Sequence, residues 1–180
     1  MSAPFPHPIS QLGFVVTDLQ ATMKHWIEEL NVGPFFYAPL IEAEDFHHRG
    51  VARPAPFAAA LANSGAMQIE LIQLLDDAPS QWQEFRAAGR EGLQHVGYWT
   101  QDFDTDYEAA IQAGYEVAHH GVLAGGRFVY FDTRHPSGCA IELSEQSPAK
   151  QAVFGAIREA AVDWDGRDPI RPYADITVSR

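Results

Sequence analysis

Residues 9–30 can be laid over residues 93–114 at a constant offset of 84. Gln11-Leu12-Gly13-Phe14-Val15-Val16 falls on His95-Val96-Gly97-Tyr98-Trp99-Thr100, and Asp18, Leu19, Met23 and Ile27 fall on Asp102, Phe103, Tyr107 and Ile111. A second echo links Gly65-Ala66-Met67-Gln68-Ile69-Glu70-Leu71 to Gly138-Cys139-Ala140-Ile141-Glu142-Leu143 at an offset of 72, because the first copy has a longer middle. A chain that repeats a supersecondary unit must pack its copies together, since one copy alone cannot bury its apolar face.

Each copy opens as a strand, a turn and a helix. In the first, Asp18 is placed to cap a helix whose stripe is Leu19, Met23, Trp26, Ile27 and Leu30. In the second, Asp102 does the same for Phe103, Tyr107, Ala110 and Ile111, and Gly114 ends the helix as Gly33 does near the end of the first. Two further strands fit each copy, at residues 35–49 and 56–63 and at 115–122 and 127–132, before the closing Ile-Glu-Leu strand. The unit is therefore βαβββ, twice, in an α+β chain. The expected layout is an N-terminal extension (1–8), a first module (9–76), a helical connector (77–92) in which Trp82 and Phe85 are the apolar positions and the charges and glutamines are solvated, a second module (93–146), and a C-terminal amphipathic helix with a tail (147–180). The tail, rich in Arg, Asp and Pro, is expected to extend over a neighbouring surface and to help hold a homodimer.

Charge and hydropathy exclude other classes. A net charge of -12, with 12 basic residues that form no run, argues against a nucleic-acid partner. No apolar run approaches the roughly 20 residues needed to span a bilayer, and the N-terminus shows no export signal, so a cytoplasmic protein without a membrane partner is expected. The lone Cys139 cannot form an internal disulfide.

Side chains alternate across a strand, so Leu12, Phe14 and Val16 share the helix-facing side while Gln11 points to the other. His95 follows the same logic between Val96 and Tyr98. Glu70 and Glu142 each stand between Ile and Leu, pointing away from the packed face. A carboxylate in an apolar strand is costly to bury unless it is paired, protonated or bound to a cation. Charges on strands more often line a solvated face, but four potential ligands at repeat-equivalent places favour a single metal site built from Gln11, Glu70, His95 and Glu142. Without metal, one of the two glutamates should hold a proton. His47-His48, near Asp45, and His119-His120 read more simply as a solvated loop pair and strand-end residues.

The Gln/His-x-Gly-aromatic strand, the capped helix after Asp and the paired Ile-Glu-Leu strands resemble the vicinal-oxygen-chelate superfamily of glyoxalase I, methylmalonyl-CoA epimerase, extradiol dioxygenases and bleomycin-resistance proteins. The resemblance covers roughly residues 9–146, and Glu91-Gly92-Leu93-Gln94-His95-Val96-Gly97 is most similar to the epimerases. It implies two tandem modules forming an open, cup-shaped barrel, with one divalent ion (zinc, nickel, cobalt, manganese or magnesium) held by the first and last strands of each module. It also implies a small-molecule substrate and an isomerase or lyase reaction, in which a proton moves next to a carbonyl or thioester through a metal-stabilised enolate. Glu142, or Glu70 if it dissociates from the metal, is the expected base. The epimerases use a further glutamate from the middle of the first module, where this chain offers Glu42, Glu44, Asp45, His47 and His48. Tyr37, Phe57, Trp99, Phe128 and Tyr130 are expected to line the substrate pocket, and Arg127 to meet an anionic group there. The competing expectation is a metal-free protein that sequesters a hydrophobic ligand, as bleomycin-resistance proteins do. An iron oxygenase is disfavoured, because Gln11 stands where one of its two histidines would be.

Overall fold

A computed structural model describes residues 4–133, 135 and 138–176. The first copy runs β1 (Ile9–Val15), α1 (Leu19–Glu28), β2 (Phe35–Ile41), β3 (Glu44–His48), β4 (Val51–Ala52), β5 (Phe57–Ser64) and β6 (Met67–Leu74). After α2 (Gln81–Ala87) the second runs β7 (Gly92–Thr100), α3 (Phe103–Gln112), β8 (Val117–Leu123), β9 (Gly126–Phe131) and β10 (Ala140–Glu145). The chain ends in α4 (Pro148–Ala161), β11 (Ile170–Pro172) and a 3-10 turn, Tyr173–Asp175.

All strands join one open sheet in the order β11-β2-β5-β6-β1-β7-β10-β9-β8-β3-β4. Each copy contributes a mirrored block, β2-β5-β6-β1 and β7-β10-β9-β8, with its first strand parallel to its last. The blocks meet where β1 runs antiparallel to β7. The expected pair of βαβββ units is therefore present, curled into a cup with α1 and α3 outside. Leu19 and Met23 of α1 pack with Val16, Ile69 and Leu71, and Phe103 and Ala110 of α3 pack with Phe131 and Leu143. Inside the cup, Val15, Phe57 and Ile72 of the first copy share a cluster with Phe128 and Tyr130 of the second and Trp82 of α2. Each fully buried large side chain contributes about 1.5–3 kcal/mol, so the inner cluster fastens the two copies to each other.

Local chemistry explains where the structure departs from expectation. Asp18 caps α1 by accepting a hydrogen bond from the Ala21 N–H, but Asp102 makes no such bond. Instead Thr100 accepts from the Asp102 N–H and donates to the buried Asp106. Gly114 ends α3 in the left-handed region, as expected, whereas the left-handed residue after α1 is Asn31, and Gly33 lies flat against the Trp164 ring. The strand expected over 35–49 is two strands. The break falls at Glu42-Ala43, and β3, with Asp45 left-handed inside it (φ 51), crosses to pair with β8, covering an edge that would otherwise be open and placing Phe46 in the inner cluster. His119 is fully buried within β8 rather than at a strand end, between Trp82 and Tyr130. Within the tail, β11 extends the sheet by pairing with β2 of its own chain. Among the described residues, no helix is long and apolar enough to cross a membrane.

Candidate metal centre

The register of the four central strands sets out the site. Reading across β6-β1-β7-β10, Glu70 lies beside Gly13, which lies beside His95; one level away, Gln11 lies beside Gly97, which lies beside Glu142. The four sequence-picked residues thus surround two glycines at the junction of the copies. A methyl group on Gly13 would fall inside the His95 imidazole, and one on Gly97 would sit 2.8 Å from Gln11 Oε1. Each glycine is the space that the other copy's ligand residue occupies. That is the physical reason for the repeated Gln/His-x-Gly motif, a role that pattern reading had not assigned.

Glu70, His95 and Glu142 offer ligand atoms that all lie within 4.8 Å of one another. His95 Nε2 is 3.4 Å from Glu70 Oε2 and 3.3 Å from Glu142 Oε2. Ligand atoms about 2.0–2.1 Å from a common ion are separated by roughly 3.0–3.4 Å in octahedral or tetrahedral arrangements, so this spacing fits a divalent cation. Gln11 donates from Nε2 to Gln68 Oε1 (2.9 Å), which leaves its own carbonyl oxygen without a hydrogen bond among the described residues. Gln11 shares a cavity wall with Glu70 and Glu142, and a carbonyl oxygen is a fitting further donor.

Electrostatics show what the triad does without metal. Burial pushes the Glu70 carboxyl up, and Glu142 adds to the rise against the opposing pull of His95. Burial would also raise Glu142, but its contacts with His95 and the field of Lys150 bring it below the usual carboxylate range. Burial would lower His95, yet Glu142 and Glu70 outweigh it and push it up to about 9. The resting state is a His95–Glu142 ion pair with Glu70 the readier of the acids to hold a proton, the asymmetry expected of two carboxylates in one pocket. A cation at the centre would relieve both the repulsion and the desolvation.

His95 is held by partners that the sequence did not disclose. Its Nδ1–H donates to Gln94 Oε1 (2.9 Å), which directs Nε2 toward the carboxylates. Gln94 donates to Gln81 Oε1 (3.4 Å), and Gln81 donates to Asp132 Oδ1 (2.8 Å), which Arg49 grips from the surface. Gln81 is buried, contrary to the expectation that the connector's glutamines are solvated. On the other side of the ring, Tyr130 Oη lies 3.2 Å from Nε2. Burial beside two carboxylates keeps that phenol neutral.

The acids face a cavity of about 220 Å³ whose walls include Ile41, Phe57, Leu61, Phe128 and Phe154. Of the aromatic residues expected there, Phe57 and Phe128 line it and Tyr130 reaches the centre through His95. Tyr37 instead packs in the cluster beneath α1, because Ala38 takes the inward position on β2. Trp99 lies outside the lining, stacked at 4.9 Å on Phe154. Arg127 is engaged on the outside by Glu145 and Asp104. His47 stacks on His120 at the β3–β8 edge, away from the triad. A separate open groove of about 670 Å³ along Arg49, Glu84 and Asp132 runs behind the glutamine chain, with Gln81 and Gln94 in its wall.

Comparison with known proteins bears on the family and the fold. The family model of the Glyoxalase/Bleomycin resistance protein/Dioxygenase superfamily matches residues 10–131, and the chain belongs to that superfamily. Among solved structures, methylmalonyl-CoA epimerase from Mycobacterium tuberculosis is similar with a TM-score of 0.55 at 19% identity, covering 82% of this chain and 93% of that one. A hypothetical protein from Bacillus halodurans C-125 is similar with a TM-score of 0.54 at 17% identity over 78% of this chain and 95% of that one. A variant of the Streptomyces coelicolor epimerase in complex with 2-nitronate-propionyl-CoA is similar with a TM-score of 0.51 at 16% identity over 79% of this chain and 96% of that one. At such identities the likeness is one of fold. No curated protein matches the chain.

Proposed function

We propose that the chain is a metal-dependent isomerase or lyase of the glyoxalase/epimerase type that moves a proton on a carbon next to a carbonyl or thioester. The observation that carries the reading is the convergence of Glu70, His95 and Glu142 within 4.8 Å beside a largely apolar-walled cavity. Gln11, Glu70, His95 and Glu142 would hold one divalent ion, and their single imidazole and oxygen donors are compatible with zinc, nickel, cobalt, manganese or magnesium. When bound, such an ion supplies Lewis-acid stabilisation of negative charge on a substrate oxygen.

The chain's own residues supply the rest. Glu142 and Glu70 come from matching strands of the two copies and flank the centre from opposite sides. That arrangement suits removal of a proton by one carboxylate and its return by the other, with Glu142 as the first base and Glu70 as its counterpart. Gln94 fixes the His95 tautomer, while Phe57, Phe128 and Phe154 keep water from the reacting carbon. The methylmalonyl-CoA epimerases among the similar structures make 2-substituted thioesters natural candidates, with hemithioacetals beside them.

Deuterium exchange from solvent into such compounds, followed with metal-loaded protein, tests the reading. Glu142→Gln should reduce exchange by about 10²–10⁴-fold. Exchange that is undiminished in both Glu142→Gln and Glu70→Gln removes the two acids from the chemistry. The apolar wall also supports a second reading, sequestration of a hydrophobic ligand, which leaves the buried acids without a task. That reading gains if the purified protein takes up no stoichiometric divalent ion.

A further inference from the structure

Outside the triad, one buried charge has no direct ion-pair partner among the described residues. Lys150 is only 5% exposed, yet none of the ion pairs among the described residues includes it. Its Nζ donates to Ser144 Oγ (3.0 Å) and weakly to the Arg127 carbonyl (3.4 Å). An ammonium has three protons to place, and one that is withdrawn from water without an anion is costly. The position adds a second cost, because Lys150 sits in the first turn of α4, three residues after its Ser147 cap, where the helix dipole repels a cation. Folding gains nothing from either. Departures from local rules of this kind mark functional places.

Lys150 and Ser144 both line the cavity that holds Gln11, Glu70 and Glu142. Ser144 follows Glu142 by two residues on β10 and so faces the same way. α4 brings Phe154 to the cavity one turn later and anchors itself through the fully buried Ile157 against Phe36 and Leu61. Tyr173, set in place by the β11–β2 pairing, closes another part of the wall. These closing elements come from the segment that follows the second module. Burial pulls the Lys150 ammonium below its ordinary value, and the field of Glu142, Glu145 and Glu70 opposes that pull. Once a cation occupies the centre, Glu70 and Glu142 are neutralised by it, and Glu145 is already paired with Arg127, so Lys150 lacks an anion of its own at the cavity wall.

We infer that Lys150, presented by the C-terminal helix and steadied by Ser144, binds an anionic group of the substrate, and that the substrate is a small, largely apolar carboxylate. The cavity of about 220 Å³ lies below the roughly 300–1,000 Å³ of drug-sized ligand sites, which sets the scale at a short or branched acyl chain. This inference rests on the proposed reading for the role of the site but depends separately on Lys150.

Calorimetric titration of zinc-loaded and zinc-free protein with unbranched and branched carboxylic acids of four to eight carbons, each paired with its primary amide, tests it. Wild-type protein should bind at least one acid about tenfold or more tightly than its amide, a difference of about 1.4 kcal/mol. Lys150→Met should abolish the preference while zinc uptake is unchanged, and Lys150→Arg should retain part of it. Equal binding of acid and amide by the wild type, binding of neither, or a preference that survives Lys150→Met overturns the inference, and the wild-type comparison decides even if the variants fold poorly. Absence of zinc uptake together with an intact acid preference in the zinc-free protein sinks the metal-dependent reading and leaves the anion site standing.

Discussion

At the scale of single residues, the site depends as much on the atoms that Gly13 and Gly97 lack as on the ligand side chains. Adding a methyl group at Gly13 must displace the His95 ring, because the nearby backbone is fixed by ladders on both sides. Gly13→Ala is therefore expected to lower divalent-metal affinity by at least about 10–100-fold, the range seen when a ligand loses its orientation, in a calorimetric titration. Gln94→Leu removes the acceptor that fixes the imidazole tautomer and should weaken metal binding by a similar 10–100-fold, with the near-ultraviolet circular dichroism unchanged. The four ligand candidates were legible in the sequence because strand alternation and the repeat placed them together. The glycines' role was not, since nothing in a strand pattern reveals which side chain crosses over from the neighbouring strand. Nor was the Gln94–Gln81–Asp132 chain, whose members are far apart in sequence and typical of solvated positions.

At the scale of elements, the C-terminal helix is the part of the chain that departs most from a bare pair of modules. Ile157 is fully buried between Phe36 and Leu61, so Ile157→Ala should destabilise the protein by about 2–5 kcal/mol in urea unfolding. If α4 is a loosely attached flap instead, the loss will be under 1 kcal/mol. Periodicity revealed α4, α1 and α3 because each presents one apolar stripe to the sheet. β3 was not separable from β2, because the two residues between them, Glu42 and Ala43, are neither Gly nor Pro and carry no turn signal. The destination of the tail was equally hidden: β11 has three residues, and its place is set by the open edge of β2 rather than by its own composition. Tyr37 and Trp99 were misplaced in the pocket for a related reason, since alternation gives the face of a strand but not what covers that face.

At the scale of the whole molecule, folding of the two copies gathers two acids and an imidazole at their junction, and the pH dependence of stability should show it. In metal-free protein, the folded-state pKa of His95 is raised to about 9, above an unfolded value of about 6.5. A raised imidazole stabilises the fold fully below pH of about 6.5 and loses that contribution as pH rises through about 9. Metal binding needs the unprotonated ring, so the gain in melting temperature on metal loading should grow across the same interval. A gain independent of pH between 6.5 and 9 would show that His95 does not give up a proton to the metal. The most direct test of the central claim is X-ray absorption at the metal edge of protein loaded with one equivalent of zinc, compared between the wild type, His95→Ala and Gln11→Ala. We predict one ion per chain with a single imidazole and otherwise oxygen ligands, the imidazole signal lost in His95→Ala and one oxygen lost in Gln11→Ala. A chain that retains no stoichiometric ion, or an ion whose ligand shell is the same in all three proteins, contradicts a metal centre at the junction of the two copies.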